Sequence, residues 1–279
     1  MYSIDMILKF QGVSTNTNKI TSPSGEIISF EKFNFSGIKK IWSLLVKSHS
    51  EYSEKLVIEE YLLIQGKFSE IGEMLNDYNS SEFNISFVDH EGTIEYGNNS
   101  TKEISRVKIN FLITSEDDAE KWLTPFIDEG LLIQARIYDK EYDFWQNAYD
   151  PLQFKANNKS YKGLPMISNN LPPPLNQEII DTSQNPGRLT IKHGYIEFIG
   201  SVVWIKKQLL VSLNVYDKIL ELNENWLEVS RLNHDVFKLK VADSPFNNDK
   251  DDSITIQNKL RSILYEAGAH AEKNRTPIS

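Results

Sequence analysis

The five histidines, His49, His90, His193, His234 and His270, are the first residues to test for chemistry. None pairs in an H-E-x-x-H or H-x-H spacing, so the chain shows no zinc-ligand set. His193 and His234 stand beside Gly194 and Asp235, a setting that predicts partly exposed turn histidines. The chain has no cysteine, which excludes disulfides, thiolate nucleophiles and cysteine–zinc sites. There is no G-x-S-x-G elbow and no P-loop lysine motif, and Gly200-Ser201 falls inside a strand-like run where a nucleophile would be poorly placed. Glu116, Asp117, Asp118 and Glu120 crowd at a predicted helix start, where they complement the helix dipole. Asp249 to Ser253 lacks the glycine and closing glutamate of a calcium loop and reads as a solvated turn. Distant carboxylates could still converge for glycoside hydrolysis, although nothing in the sequence points to such a pair. The expectation is a protein with no catalytic residues, no cofactor and no metal.

Recognition chemistry is better represented. Asp139, Glu141, Asp143 and Asp150 interleave with Tyr142, Trp145 and Tyr149. Aromatic side chains anchor interfaces, and carboxylates steer a basic partner. The expected partner interface is therefore Asp139, Glu141, Tyr142, Asp143, Trp145 and Asp150. The competing reading has Phe144 and Trp145 plugging a seam between two lobes. Asn185-Pro186-Gly187 is a turn signature in which glycine would supply a positive φ. Arg188 follows it and could bridge carboxylates, or lock Asp181 or Glu197 within its own lobe. Asn185, Pro186, Gly187, Arg188 and Trp204 are assigned a structural role.

These residues need a scaffold. The chain has 279 residues, 40% of them apolar and 25% charged, enough for one large domain or two ordinary ones. The net charge of −9 disfavours direct nucleic-acid binding and attracts a basic partner, although it also serves solubility. No run of about 18 apolar residues occurs, and Asp5 interrupts the N-terminal apolar stretch, so neither a membrane span nor a signal peptide is expected. A cytoplasmic location follows.

Ile4, Met6, Leu8 and Phe10 alternate as a strand, and Val107, Ile109, Phe111 and Ile113 do the same. Ser36 offers a helix cap before Ile38, Ile41, Trp42 and Leu45. Ser115 and Asp118 start another helix, which Pro125 should kink or end early. Residues 51–80 stay ambiguous between strand and helix. Leu209, Val211 and Leu213 favour a strand over a helix, and a last helix should span about Ser253 to Glu266. Leu189 to Lys192 with Tyr195 to Ile205, and Trp226 to Ser230 with Val236 to Val241, read as hairpins. The pattern fades from Asp139 to Asn176, where Pro172-Pro173-Pro174 should be extended and stiff. The fold class expected is α+β, with two lobes, each a mainly antiparallel sheet with flanking helices. Residues 1–140 form the first lobe, 141–180 an ordered Pro- and aromatic-rich connection, and 181–279 the second lobe.

The order of Asp143-Phe144-Trp145-Gln146-Asn147-Ala148, Asp150-Pro151-Leu152, Gly163-Leu164-Pro165, Leu171-Pro172-Pro173-Pro174-Leu175, Asn185-Pro186-Gly187-Arg188, Gly194-Tyr195-Ile196-Glu197 and Gly200 to Trp204 resembles the immunity protein 52 family of bacterial polymorphic toxin systems. Ser244-Pro245-Phe246, Lys259-Leu260-Arg261 and Leu264-Tyr265 resemble that family's ending. The resemblance covers the second half of the chain and is loose over residues 1–138. It implies an α+β, cytoplasmic, non-enzymatic inhibitor encoded beside its toxin. The toxin is typically a nuclease of the restriction-endonuclease-like fold, often delivered by type VI secretion. The expected partner is thus a cognate toxin with a basic nuclease domain, met by a monomer. The family has no catalytic residues to carry over. Two other readings remain, a carboxylate-dependent hydrolase acting on sugars and a non-enzymatic scaffold of a secretion apparatus.

Overall fold

β1 (Tyr2–Lys9) is buried along nearly its whole length and is a central strand of the sheet. Its alternation sends Ile4, Met6 and Leu8 into one hydrophobic cluster and Ile7 into another on the opposite face. The computed structural model describes residues 2–10, 13–21, 27–34, 37–77, 82–89, 92–113, 115–247 and 251–266. The acidic run at Asp249, the Ser36 cap, His90 and His270 lie wholly or partly outside them.

After β1 comes a separate antiparallel ribbon, β2 (Val13–Thr21) and β3 (Ile27–Asn34). α1 (Gly37–Ser48) then buries Ile38, Ile41, Trp42 and Leu45 at helical spacing, as expected. The ambiguous stretch contains both kinds of element: β4 (Leu56–Glu59), β5 (Ile64–Lys67) and α2 (Ile71–Asp77). Gly72 is tolerated inside α2 because Trp42 occupies the space of a side chain; a Cβ there would lie 2.2 Å from Trp42 Cδ1. β6 (Glu82–Phe87), β7 (Gly92–Asn99) and β8 (Ile104–Ile113) continue the sheet. α3 (Glu116–Asp128) starts at Ser115, whose hydroxyl accepts from the Asp118 amide at 3.1 Å. Pro125 does not end it early. The helix runs on to Asp128, with Phe126 and Ile127 buried and their packing offsetting the lost backbone donor.

β9 (Leu132–Asp139) leads into two short helices that the sequence pattern did not reveal, α4 (Lys140–Asn147) and α5 (Pro151–Ala156). With fewer than three turns each, they are too short for an apolar period to emerge. β10 (Met166–Ser168) and β11 (Glu178–Ile180) form a small hairpin. The proline run lies in its connecting loop and turns back, with the Leu175 amide donating to Pro172 O at 2.9 Å, instead of extending as a spacer. β12 (Thr190–Ile191) and β13 (Ile196–Glu197) make the hairpin expected around Gly194, which sits at φ +80°. β14 (Val202–Lys206) leaves that hairpin and enters the main sheet. α6 (Lys207–Ser212) and α7 (Tyr216–Glu221) follow. The strand expected over Leu209 to Leu213 is thus a helix. Leu209 and the adjacent Leu210 are buried while Val211 is exposed, a phase that a strand cannot produce. β15 (Glu228–Arg231) and β16 (Val236–Lys240) form the last expected hairpin, with His234 and Asp235 at positive φ in its connection. α8 (Asp251–Arg261) ends in a π-helical turn through Glu266.

The α+β class with mainly antiparallel strands is observed. The strands expected of two lobes lie in a single ten-stranded sheet, ordered β15-β16-β14-β9-β1-β8-β7-β6-β4-β5, with every neighbouring pair antiparallel. The join is β14 against β9, where Val203, Trp204 and Ile205 face Arg136, Ala135 and Gln134. One face of the sheet packs on α1, α2 and α3. The other packs on α6, α7 and α8, but only along part of its width; no residue of β4 to β7 belongs to that second cluster.

Candidate functional site

α4 brings the predicted interface residues together, and most of them already have internal partners. Asp139 caps α4 by accepting from the Tyr142 amide at 2.8 Å. Asp150 caps α5 through a reciprocal box with Gln153. Glu141 pairs with Lys159 and accepts from Trp145 Nε1 at 2.8 Å, and both contacts lower its pKa. Asp143 accepts from Arg136 at 2.5 Å. Tyr142 is buried, and its hydroxyl accepts from Gln257 Nε2 at 2.9 Å, so it cannot anchor a partner without leaving the core. Trp145 is half-exposed, with its ring edge-on to Phe144 and Phe154. Phe154 is fully buried in a satellite cluster with Ala148 and Ile180, which Phe144 flanks. Phe144 and Trp145 therefore cover this small core, and only Trp145 keeps a surface for a partner.

The predicted structural motif docks on the end of the same helix. Gly187 donates to Gln146 Oε1 at 2.9 Å, and Asn185 Nδ2 donates to Gln146 O at 2.9 Å. Leu189 N donates to Asn147 Oδ1 at 2.6 Å. Gly187 is required by this close approach, not by a positive φ: a Cβ would lie 2.8 Å from Gln146 Cγ. Arg188 does not lock Asp181 or Glu197; its guanidinium donates to Asn185 O at 2.9 Å, and Glu197 pairs with Lys192. The locking arginine is Arg261 of α8, which is buried and donates to Pro186 O at 3.2 Å and Arg188 O at 2.6 Å. Burial and the nearby Arg188 charge pull its pKa down to about 10. Trp204 lies apart from the motif, buried in the first cluster.

Beneath α4 lies a charge network that sequence reasoning missed. Asp5 on β1 is fully buried and takes a bidentate bond from Arg106 on β8, at 2.7 and 2.6 Å. Arg136 on β9 reaches Asp5 at 3.4 Å and Asp143 at 2.5 Å, and donates to Ile199 O at 3.3 Å. Burial alone would raise the Asp5 carboxyl; Arg106 and Arg136 outweigh it and hold the group at about 2. Three neighbouring strands and α4 are thus tied at one point. Asp5 was legible only as a polar interruption of an apolar strand.

The most exposed element near α4 is the β10–β11 hairpin. Met166, Ile167, Leu171 and Leu175 are all exposed large apolar side chains, and Tyr149 and Leu152 lie exposed just before the hairpin in sequence. Asn169 fixes the connecting loop: its Nδ2 donates to Leu175 O at 2.9 Å, and its Oδ1 accepts from the Leu171 and Gln177 amides at 3.1 and 3.2 Å. The base is pinned by Ile180 N to Tyr149 O and Asp181 N to Pro165 O, both at 2.8 Å. Among the described residues, no group of three or more His, Asp and Glu side chains could hold a metal ion, and no helix is long and apolar enough to cross a membrane.

No family model matches this chain, and no curated protein matches it. Neither comparison places it in the immunity protein 52 family. Among solved structures, the Pseudomonas aeruginosa T6SS protein PA0821 overlaps it with a TM-score of 0.49 at 9% identity, covering 95% of this chain and 73% of that one. Overlap at this level carries no argument about what this chain does.

Proposed function

We propose that this chain is a cognate immunity protein that binds a nuclease-type toxin effector and neutralises it by covering its active site or DNA groove. The observation that carries the reading is the β10–β11 hairpin. It holds Met166, Ile167, Leu171 and Leu175 in water on a backbone that Asn169 has already ordered. A soluble chain gains nothing for its own core from such a surface, and exposed apolar patches of this kind mark interaction sites. Ordering the loop before contact lowers the entropy lost on binding. The net charge of −9 suits a basic, DNA-handling partner, and the motif order of the second half supports the same family reading. The test is protection in cells. Expression of the neighbouring gene's nuclease should arrest growth, and co-expression of this chain should restore it. Arrest that persists with both proteins present at equal levels would sink the proposal.

A further inference from the structure

Much of the apolar stretch from Leu56 to Ile64 stays outside the core. Val57 is buried, but Leu56 and Ile58 on the other face of β4 are exposed, as is Val88 beside Leu56. The connection from β4 to β5 exposes Tyr61 by 60%, Leu62 by 37% and Leu63 by 83%, so the tip of an edge hairpin is apolar and wet. Leu63 also sits at φ +54°, a conformation that glycine or asparagine adopts far more readily. The tip is held rigid from below. Glu59 is fully buried, and its carboxylate accepts from the Leu62 amide at 2.5 Å and the Asn84 amide at 3.1 Å. A buried carboxylate thus braces a left-handed turn that presents two leucines and a tyrosine to water.

The charge around the tip says what it meets. Residues 51–103 carry twelve carboxylates against three lysines, a net of −9 that equals the charge of the whole chain. Residues 139–192, which include α4 and the β10–β11 hairpin, carry six of each sign and are neutral. The excess of carboxylates therefore belongs to the segment that carries β4 to β7, and the nearest cations beyond it are Arg106 and Lys108 on β8. Glu60 accepts from Asn84 Nδ2 at 2.7 Å and from the Ser86 hydroxyl, which orients it beside the tip. Burial and then Glu82, Glu95, Glu59 and Glu60 raise the pKa of the Tyr61 phenol. Beyond Tyr61, a cleft of about 290 Å³ runs past Glu82 and Glu95 to Ile191 and Ile196; Arg106 and Lys108 line its far wall, and Lys108 already pairs with Glu95 at 3.6 Å, so the carboxylates open to a partner are those nearer the tip.

We propose that the Tyr61-Leu62-Leu63 tip, with the exposed face of β4 and its carboxylate rim, is a docking surface for a basic segment of a protein partner. This rests on the inhibitor reading and deepens it. The apolar contact and the charge steering occupy the β4–β7 end, while the β10–β11 hairpin supplies a second contact in a segment of balanced charge. Apolar anchors inside a charged rim divide the work between a slow off-rate and a fast on-rate.

The probe is the nuclease domain encoded beside this chain. Leu63→Gly removes the anchor and relieves the positive φ, so the variant should melt no lower than the parent chain. It should weaken the complex by about tenfold or more, as should Tyr61→Ala. Glu60→Gln with Glu82→Gln should slow association at low salt by about fivefold and flatten its salt dependence. A parent complex that forms normally and is unmoved by all of these variants overturns the docking surface and leaves the inhibitor reading standing. A parent chain that forms no complex at all overturns both. A homodimer that Leu63→Gly converts to monomer assigns the tip to self-association and overturns the proposal.

Discussion

Replacing Asp5 with asparagine tests whether the buried charge network holds the sheet to α4. Asparagine keeps the shape but turns one acceptor oxygen into an NH2 donor facing Arg106, so the substitution removes the charge and one of the two hydrogen bonds. In the folded chain the carboxyl titrates at about 2 against an ordinary 3.8. At ~1.4 kcal/mol for each tenfold in proton affinity, ionised Asp5 contributes ~2–3 kcal/mol. Arg106 is 22% exposed and can turn toward water, whereas Arg136 is 3% exposed and keeps Asp143 as its one remaining carboxylate, beside the Ile199 carbonyl. Leaving a buried charge short of a partner costs ~3–5 kcal/mol, so we expect a loss of ~3 kcal/mol at pH 7. Urea unfolding of the two proteins measures it, from the shift in midpoint at constant slope. The sign with pH follows from the depressed pKa. The contribution is complete above the unfolded pKa near 3.8 and disappears as pH falls through about 2, so parent and variant should converge in acid. A loss under ~1 kcal/mol at pH 7, or a gap independent of pH, would refute the reasoning.

Three further outcomes are expected. Gly72→Ala gains ~1 kcal/mol of helix propensity but drives a methyl to 2.2 Å from Trp42 Cδ1, so thermal unfolding should report a net loss of ~2 kcal/mol. Tyr265→Phe strands the carbonyl and amide of Phe198, which the buried hydroxyl meets at 3.0 and 3.4 Å; chemical denaturation should show a cost of ~1–2 kcal/mol. Asn169→Ala frees the exposed β10–β11 connection without touching the core. Global stability should move by less than ~0.5 kcal/mol, while limited proteolysis between residues 170 and 176 quickens and binding to the proposed nuclease partner weakens by about fivefold.

Period-two strands and the long amphipathic helix were legible because each declares itself within one window. Ile4, Met6 and Leu8 predict one face of β1, and Ile38, Ile41, Trp42 and Leu45 predict α1. The ion network was not legible. Asp5 bonds residues 101 and 131 positions away, and nothing local marks a carboxylate that will be buried. α4 and α5 were hidden by their brevity, although Asp139 and Asp150 were already singled out. Both are helix caps in the structure, so part of this acidic-aromatic segment serves its own backbone. Leu56, Ile58, Tyr61 and Leu62 are a different case. Their stretch stays ambiguous between strand and helix in the sequence, and all four face water in the structure. A sequence shows that such residues want a cover, but not whether the cover comes from the same chain. The uneven charge was visible in the sequence all along; it gained meaning only when β4 to β7 were seen to share one end of the sheet.

The most direct measurement is a titration. The proposed partner is a nuclease domain encoded next to this chain; its DNA cleavage should fall linearly as the chain is added, reaching background near one molar equivalent. Undiminished cleavage in the presence of a large molar excess would mean that these exposed apolar and acidic surfaces serve something other than neutralising that enzyme.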